Sequence, residues 1–299
     1  MNPDPNEAMI RRLGAAVAVL LAVALGGIFL LGPLHLRTEM GTPSSPDRSG
    51  ESSAGPTPST PSSEGMATDA STSALAPALR PEDGVAIPGG EFFAGCNEKV
   101  DHACMADEKP GGLRSVEAFV IDRTEVTTAD YRACVAAGAC SETDRGEGCN
   151  VGLAGREHHP ANCVDWTQAR AYCAWRGGRL PTEWEWERAA RGPNGRIHPW
   201  GDEPADCRRA VIDEGSGFAC GQGDTTAPVG SKPDGATPEG VLDLIGNVCE
   251  WTDSTREGTT SMVVRGGAYY VDPRQARASF GLPFKPTGRA PFAGFRCVR

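Results

Sequence analysis

The sequence predicts an α+β fold with few helices, short strands and a large share of ordered loop. Only three helix-start signals occur in the 299 residues, whereas proline and glycine turn signals crowd the C-terminal half. Eleven cysteines accompany these loops. A domain with so much loop needs disulfides or metal ions to cross-link it.

The N-terminal segment predicts a membrane anchor at residues 13–36. From Leu13 to Gly32 the chain is almost entirely apolar and uncharged, and about 20 such residues cross the hydrocarbon core. Arg11 and Arg12 precede it, so the positive-inside rule places residues 1–12 in the cytoplasm and the rest of the chain outside. A cleaved signal peptide is the alternative, although its apolar core usually spans about 7–15 residues. We therefore expect a single-pass membrane protein with an extracytoplasmic domain, periplasmic or at the cell surface.

Composition separates the rest of the chain into a tether and a domain. Residues 37–80 are rich in Ser, Thr and Pro and poor in large apolar side chains, which predicts a disordered tether. Residues 81–299 are long enough to bury one core. The net charge is −10 and this part has no basic cluster, so nucleic acid is not an expected partner.

Short strands are predicted first, in chain order. Residues 85–93 form a strand, a turn and a second strand around a Pro-Gly-Gly sequence, and residues 118–122 form another strand. Residues 262–265 and 295–298 are predicted as closing strands. These segments are brief, which fits a loop-rich fold.

Three helices are predicted from their N-terminal caps. Each begins with Thr or Asp, followed three residues later by a side chain that can complete the cap. The pairs are Thr127 with Asp130, Asp165 with Gln168, and Thr182 with Glu185. In the third helix, Trp186 is predicted to pack in the core. Glu187 and Arg191 are spaced for an ion pair on the helix surface.

The cysteines read as a disulfide framework if the domain lies outside the cytoplasm. Short separations favour four local pairs, without excluding other connectivities. They are Cys96–Cys104, Cys134–Cys140, Cys149–Cys163 and Cys207–Cys220. Cys173, Cys249 and Cys297 lie in apolar runs and are predicted to be buried thiols.

Nine blocks of the sequence follow one another at 87–92, 125–127, 163–166, 179–187, 198–201, 227–230, 244–251, 265–271 and 294–297. In this order they resemble the formylglycine-generating enzyme (sulfatase-modifying factor) family. The resemblance covers residues 85–299. It implies a C-type-lectin-like fold with little regular structure and bound calcium.

The resemblance implies a structural calcium site at residues 243–250. Asp243 and Glu250 would give side-chain oxygens, and Gly246 and Val248 would give backbone oxygens. A hard cation prefers such ligands. The alternative is a solvated Asp and a Glu paired with arginine. A second calcium site of the family is not expected, because the segment near 210–223 shows no ligand pattern.

The catalytic cysteines of the family's oxidases are missing. Val271 and Ala276 stand in their places, and neither side chain can coordinate copper. Cys249 stands where the family usually has Trp, and its apolar setting argues against a reactive thiol. The histidines show no ligand spacing, so the iron site of the related sulfoxide synthases is not expected either.

These features favour a binding or accessory module over an oxidase. Its ligand would be a peptide, a glycan or a protein, and its membrane contact would be the N-terminal helix. The resemblance places four candidate groove residues in the closing segment: Tyr269, Tyr270, Arg274 and Arg277. The alternative is a formylglycine-generating oxidoreductase, or another oxidase on the same scaffold. A third reading is a variable receptor with a related lectin-like fold.

Overall fold

The computed structural model describes residues 83–299, apart from 106–107, 218, 222 and 224. The predicted cytoplasmic segment, anchor and tether lie outside the described residues. Within the described ranges, no helix has both the length and the apolar character needed to cross a bilayer.

Four short strands form two separate two-stranded sheets near the start of the domain. Strand β1 (Gly84–Ile87) pairs antiparallel with β4 (Phe119–Asp122). Between them in the chain, β2 (Gly90–Ala94) pairs antiparallel with β3 (Gly112–Val116). Alternation along β1 buries Val85 and Ile87, as expected for a strand with one face on the core.

Three helices follow, and each begins at its predicted cap. They are α1 (Thr128–Ala136), α2 (Trp166–Trp175) and α3 (Glu183–Arg191). The cap side chains Thr127, Asp165 and Thr182 each accept a hydrogen bond from the backbone amide three residues later. In α2 and α3 the third residue also reaches back to the cap, which completes a capping box.

The C-terminal half forms a four-stranded sheet with the order β7-β6-β5-β8. Its strands are β5 (Cys249–Thr255), β6 (Met262–Arg265), β7 (Gly281–Phe284) and β8 (Ala293–Gly294). The strand predicted at 295–298 is wrong in extent. Val298 makes only isolated bridges, to Ile121 and Arg179, because the chain end runs between β4 and the segment before α3 instead of along one strand.

The main core lies between the helices and the C-terminal sheet. Tyr131 of α1 and Tyr172 of α2 stack at 5.9 Å, and Phe295 meets Tyr172 edge-on at 5.4 Å. Trp251 of β5 is fully buried there and donates from Nε1 to the carbonyl of Val164 at 2.9 Å. Aromatic side chains of this size supply much of the apolar burial that stabilises the domain.

All four predicted disulfides are present: Cys96–Cys104, Cys134–Cys140, Cys149–Cys163 and Cys207–Cys220. The prediction of three buried thiols is wrong for two of them, because Cys173 and Cys297 form a fifth disulfide. Apolar surroundings suit a buried disulfide as well as a buried thiol. Because the two cysteines are 124 residues apart, short separation could not indicate that they pair. Cys249 is a buried free cysteine.

The pair Glu187–Arg191 was expected on the helix surface, and this is wrong. The two side chains are 0% and 2% exposed. Glu187 also pairs with Arg265 of β6 at 2.9 Å and accepts a hydrogen bond from the backbone amide of Gly95 at 2.6 Å. This face of α3 therefore joins the residue after β2 to β6 through buried charges, and these partners are distant in the sequence.

Candidate functional site

The positions of the missing catalytic cysteines lie together in a buried aliphatic cluster. Val271 is 3% exposed and Ala276 is not exposed at all. Their partners in this cluster are Ile212, Ile245, Ala205 and Ala210. Aliphatic carbons offer no ligand to any metal, and a filled core leaves no room for a substrate there.

The glycines before this cluster fix the path of the chain. Gly266 has φ of +92°, which glycine adopts without strain. A Cβ at this position would lie 2.8 Å from the carbonyl oxygen of Leu244 and 3.0 Å from the ring of Trp186. The Arg-Gly-Gly block therefore lets the backbone pass directly over the 243–250 segment.

Cys249 is the free cysteine of the described residues, and its thiol is buried. Burial, and after it the charge of Glu250, raise the pKa of its thiol to about 12. The thiolate is the reactive form of cysteine. Cys249 is therefore unreactive at neutral pH, in agreement with its apolar sequence context.

The two side chains expected to bind calcium are both engaged by protein groups. Both oxygens of Glu250 are engaged by the guanidinium of Arg296 at 2.7 Å, and Oε2 also accepts from Trp186 at 2.8 Å. The Asp243 side chain instead accepts the amide of Gly230 at 2.5 Å. The positive charge beside Glu250 therefore comes from Arg296. Glu250 thus agrees with the alternative to calcium, in which the glutamate pairs with an arginine.

Glu125 is a buried carboxyl group that the sequence did not single out. Its Oε1 accepts from the side-chain amide of Asn247 at 2.9 Å. Burial raises its pKa well above the usual range, and the neighbouring charge of Asp243 adds to the rise. Burial also raises the pKa of Asp243. Protonation of Glu125 or Asp243 would therefore reduce the excess negative charge around Arg296.

The predicted groove residues separate into two exposed and two buried side chains. Tyr270 is 44% exposed, and Arg274 is exposed as well. Tyr269 is buried. Arg277 is also buried, where it pairs with Asp101 at 2.6 Å and with both oxygens of Glu108 at 2.8 Å. The prediction that Arg277 lines the groove is therefore wrong, because its guanidinium is buried against Asp101 and Glu108.

Five aromatic rings form a continuous row that reaches the surface at Tyr270 and the core at Trp251. Successive ring centroids are 5.1–5.7 Å apart. In order, the members of this aromatic row are Tyr269, Tyr270, Phe292, Phe284 and Trp251. Phe292 lies in the same C-terminal part of the chain, but it was not among the groove residues predicted from the sequence. Tyr270, Phe292 and Phe284 give this face its accessible apolar surface.

A polar cavity of about 340 Å³ lies against the start of α3. Arg114 and Arg265 place their guanidinium groups 5.2 and 5.7 Å from the ring centre of Trp184. Arg265 also pairs with Glu183 at 3.1 Å. The walls carry both signs of charge, so the cavity suits a polar ligand better than an apolar one.

Fold and site together define a disulfide-linked, loop-rich α+β domain whose expected redox centre is an aliphatic core. Residues 70–299 match the family model described as "Sulfatase-modifying factor enzyme 1-like domain". The chain belongs to this family.

Some curated relatives are named as enzymes, and another is named as inactive. A formylglycine-generating enzyme of Streptomyces coelicolor is 31% identical, over 74% of this chain and 91% of its own. A hercynine oxygenase of Mycolicibacterium smegmatis is 30% identical over 71% of this chain. "Inactive C-alpha-formylglycine-generating enzyme 2" of Bos taurus is 37% identical over 49% of it. The match spans only 60% and 52% of those last two proteins.

A solved structure shares the fold. PvdO from Pseudomonas aeruginosa superposes with a TM-score of 0.61 and 26% identity, covering 72% of this chain and 93% of its own. The few helices and short strands of the described residues agree with the predicted α+β architecture.

Proposed function

We propose that this chain is a binding or accessory module of the sulfatase-modifying factor family that does not oxidise cysteine to formylglycine. The observation that carries the proposal is the aliphatic cluster at Val271 and Ala276. A copper-dependent oxidase of this family needs thiolates there, and copper(I) needs soft ligands. Cys249 does not replace them, because burial holds its pKa near 12.

The aromatic row is the surface that best supports a binding role. Tyr270 is exposed, and Phe292 and Phe284 are half-buried behind it. Aromatic side chains supply large contact areas at low cost in conformational entropy, and they are enriched in interfaces. We assign the peptide, glycan or protein ligand to this face, and the exposed Arg274 remains a further candidate contact.

The predicted anchor completes the proposal. Residues 13–36 would hold the protein in the membrane, and residues 37–80 would tether the domain outside it. Five disulfides within the described residues support an oxidising, extracytoplasmic location.

An oxidase assay tests the proposal. The purified protein is incubated with copper, oxygen and a peptide that carries the sulfatase cysteine motif, beside an active family member as positive control. We expect no formylglycine above the copper-only blank. Formylglycine produced by the unmodified protein would overturn the proposal.

The alternative is an oxidoreductase on the same scaffold, which the relatives named formylglycine-generating enzyme and hercynine oxygenase favour. A double variant, Val271→Cys with Ala276→Cys, separates the two functions. Under the binding proposal, turnover depends on the new thiols, so activity appears only in this variant or in neither. Equal turnover by both proteins would support the alternative.

A further inference from the structure

We infer that Cys96–Cys104 is a reactive disulfide that exchanges with a dithiol of a partner molecule. This site lies outside the aliphatic cluster and the aromatic row, and it does not depend on the proposed binding function. The inference comes from the groups that surround the two sulfurs.

Both sulfurs already face acceptors that only the reduced form can use. Sγ of Cys96 lies 3.2 Å from Oδ2 of Asp101, and Sγ of Cys104 lies 3.1 Å from the backbone oxygen of the same residue. A disulfide has no proton to donate. After reduction, each thiol carries a proton and has one of these oxygens within reach as a hydrogen-bond acceptor.

The Asp101 carboxylate is held rigidly in this position. It is buried, it pairs with Arg277 through Oδ2 at 2.6 Å, and its Oδ1 accepts the amide of Ala103 at 2.9 Å. Glu108 in turn holds Arg277 with both oxygens. A preorganised acceptor stabilises the dithiol relative to the disulfide, and a disulfide whose reduced form is stabilised is a better oxidant.

Access differs between the two sulfurs. Cys104 is partly exposed, whereas Cys96 is buried beside Arg277, whose Nη1 lies 3.6 Å from Sγ. An incoming thiolate therefore meets Cys104 first. Cys96 is the leaving sulfur, and the guanidinium disperses the charge that develops on it.

The exchange balances as a two-electron transfer. A thiolate of the partner attacks Sγ of Cys104 and forms a mixed disulfide with it, the Cys96–Cys104 bond breaks, and the electron pair passes to Sγ of Cys96. This sulfur takes up a proton from solvent and, as a thiol, donates a hydrogen bond to Asp101. The second thiolate of the partner then attacks the mixed disulfide and releases Cys104, which is protonated. The partner leaves as a disulfide, and the protein holds two thiols.

The Cys134–Cys140 disulfide in the same domain is a matched control. It also closes a short loop, of separation 6 against 8, and it also joins a fully buried cysteine to one nearer the surface. In the described part of the chain, no oxygen accepts from either of its sulfurs. It therefore lacks the feature on which the inference rests.

Graded glutathione buffers test the inference on the full chain. After acid quenching, free thiols are alkylated with N-ethylmaleimide and located by peptide mass spectrometry. We expect Cys96–Cys104 to be half reduced at a [GSH]²/[GSSG] ratio at least tenfold lower than Cys134–Cys140, which corresponds to about 30 mV. Equal ratios, or the opposite order, would overturn the inference.

The variant Asp101→Asn tests the cause. It removes the charged acceptor, so the ratio for Cys96–Cys104 should rise about tenfold while that for Cys134–Cys140 stays unchanged. An unchanged ratio in a variant with a cooperative thermal transition contradicts the assigned role of Asp101. If the variant does not fold, the order of reduction in the unmodified protein still decides the inference.

Discussion

At the scale of single residues, three buried carboxyl groups share one buried guanidinium. Glu125, Asp243 and Glu250 surround Arg296, whose two bonds to Glu250 leave the other two carboxyl groups without an equal counter-charge. Burial is the main cause that raises the pKa of Glu125 and of Asp243, and the negative charge of Glu250 adds to the rise in both. The protonation of Glu125 should therefore be visible in the stability of the protein.

We predict that Glu125→Gln stabilises the protein at pH 8 and flattens its stability profile. A carboxyl group with a raised folded pKa binds a proton that the unfolded chain releases above about pH 4.3, so stability falls as pH rises from there toward the folded pKa. Glutamine is neutral and can still accept from Asn247. We expect a gain of about 1 kcal/mol at pH 8, the size of relieving one poorly satisfied buried group.

Urea unfolding between pH 5 and pH 8 measures this effect. Glu142→Gln is the control, because Glu142 is exposed and its pair with Arg145 lies in solvent. If the free energy of unfolding of the Glu125 variant changed with pH in parallel with that of the unmodified protein, the raised pKa assigned to Glu125 would be contradicted.

At the scale of elements, the closing segment depends on glycine where the backbone crosses the 243–250 segment. Gly266 lies over the carbonyl of Leu244 and the ring of Trp186, and it precedes the residues that fill the aliphatic cluster. Two separate costs oppose any side chain here. One is the positive φ, and the other is the lack of space.

We predict that Gly266→Ala costs about 2–4 kcal/mol, since strain and overpacking add. Gly152→Ala is the matched control. Gly152 has nearly the same φ, +90° against +92°, but a Cβ there meets nothing within 4 Å. Chemical denaturation of both variants should show a larger loss for Gly266 by about 1–3 kcal/mol. Equal losses of stability in the two variants would mean that the positive φ alone accounts for the cost at Gly266.

At the scale of the whole molecule, disulfides connect parts that share little regular structure. Cys173 of α2 and Cys297 near the chain end close a loop of 124 residues around the main core. The other four disulfides close loops of 6 to 14 residues. Under the chain-entropy model, the long loop restricts the unfolded state most.

We predict that replacing Cys173 and Cys297 together by alanine costs about 5 kcal/mol, against about 2 kcal/mol for Cys134 with Cys140. The free energy of unfolding in urea, measured without reductant, gives both values. A smaller loss for the long loop would show that residual structure in the unfolded chain already limits its entropy.

The sequence could predict what depends on near neighbours. The caps at Thr127, Asp165 and Thr182 located all three helices, because the capping residues lie three positions apart. Short separations located four disulfides for the same reason. The resemblance also pointed to Val271 and Ala276, which the fold brings into one cluster.

Long-range contacts set the limit of that prediction. The Cys173–Cys297 disulfide, the burial of Arg277 by Asp101 and Glu108, and the pairing of Glu250 with Arg296 all join distant segments. Nothing in the local sequence distinguishes Arg277 from an exposed groove residue. Its partners lie 176 and 169 residues away.

Copper(I) binding tests the central claim most directly. The full-length, disulfide-intact protein is titrated with a coloured copper(I)–chelator complex, beside the double variant Val271→Cys with Ala276→Cys. Because carbon side chains fill the family's metal position, we predict no loss of colour with the unmodified protein. Withdrawal of one copper(I) per chain from the chelator by the unmodified protein would contradict the account.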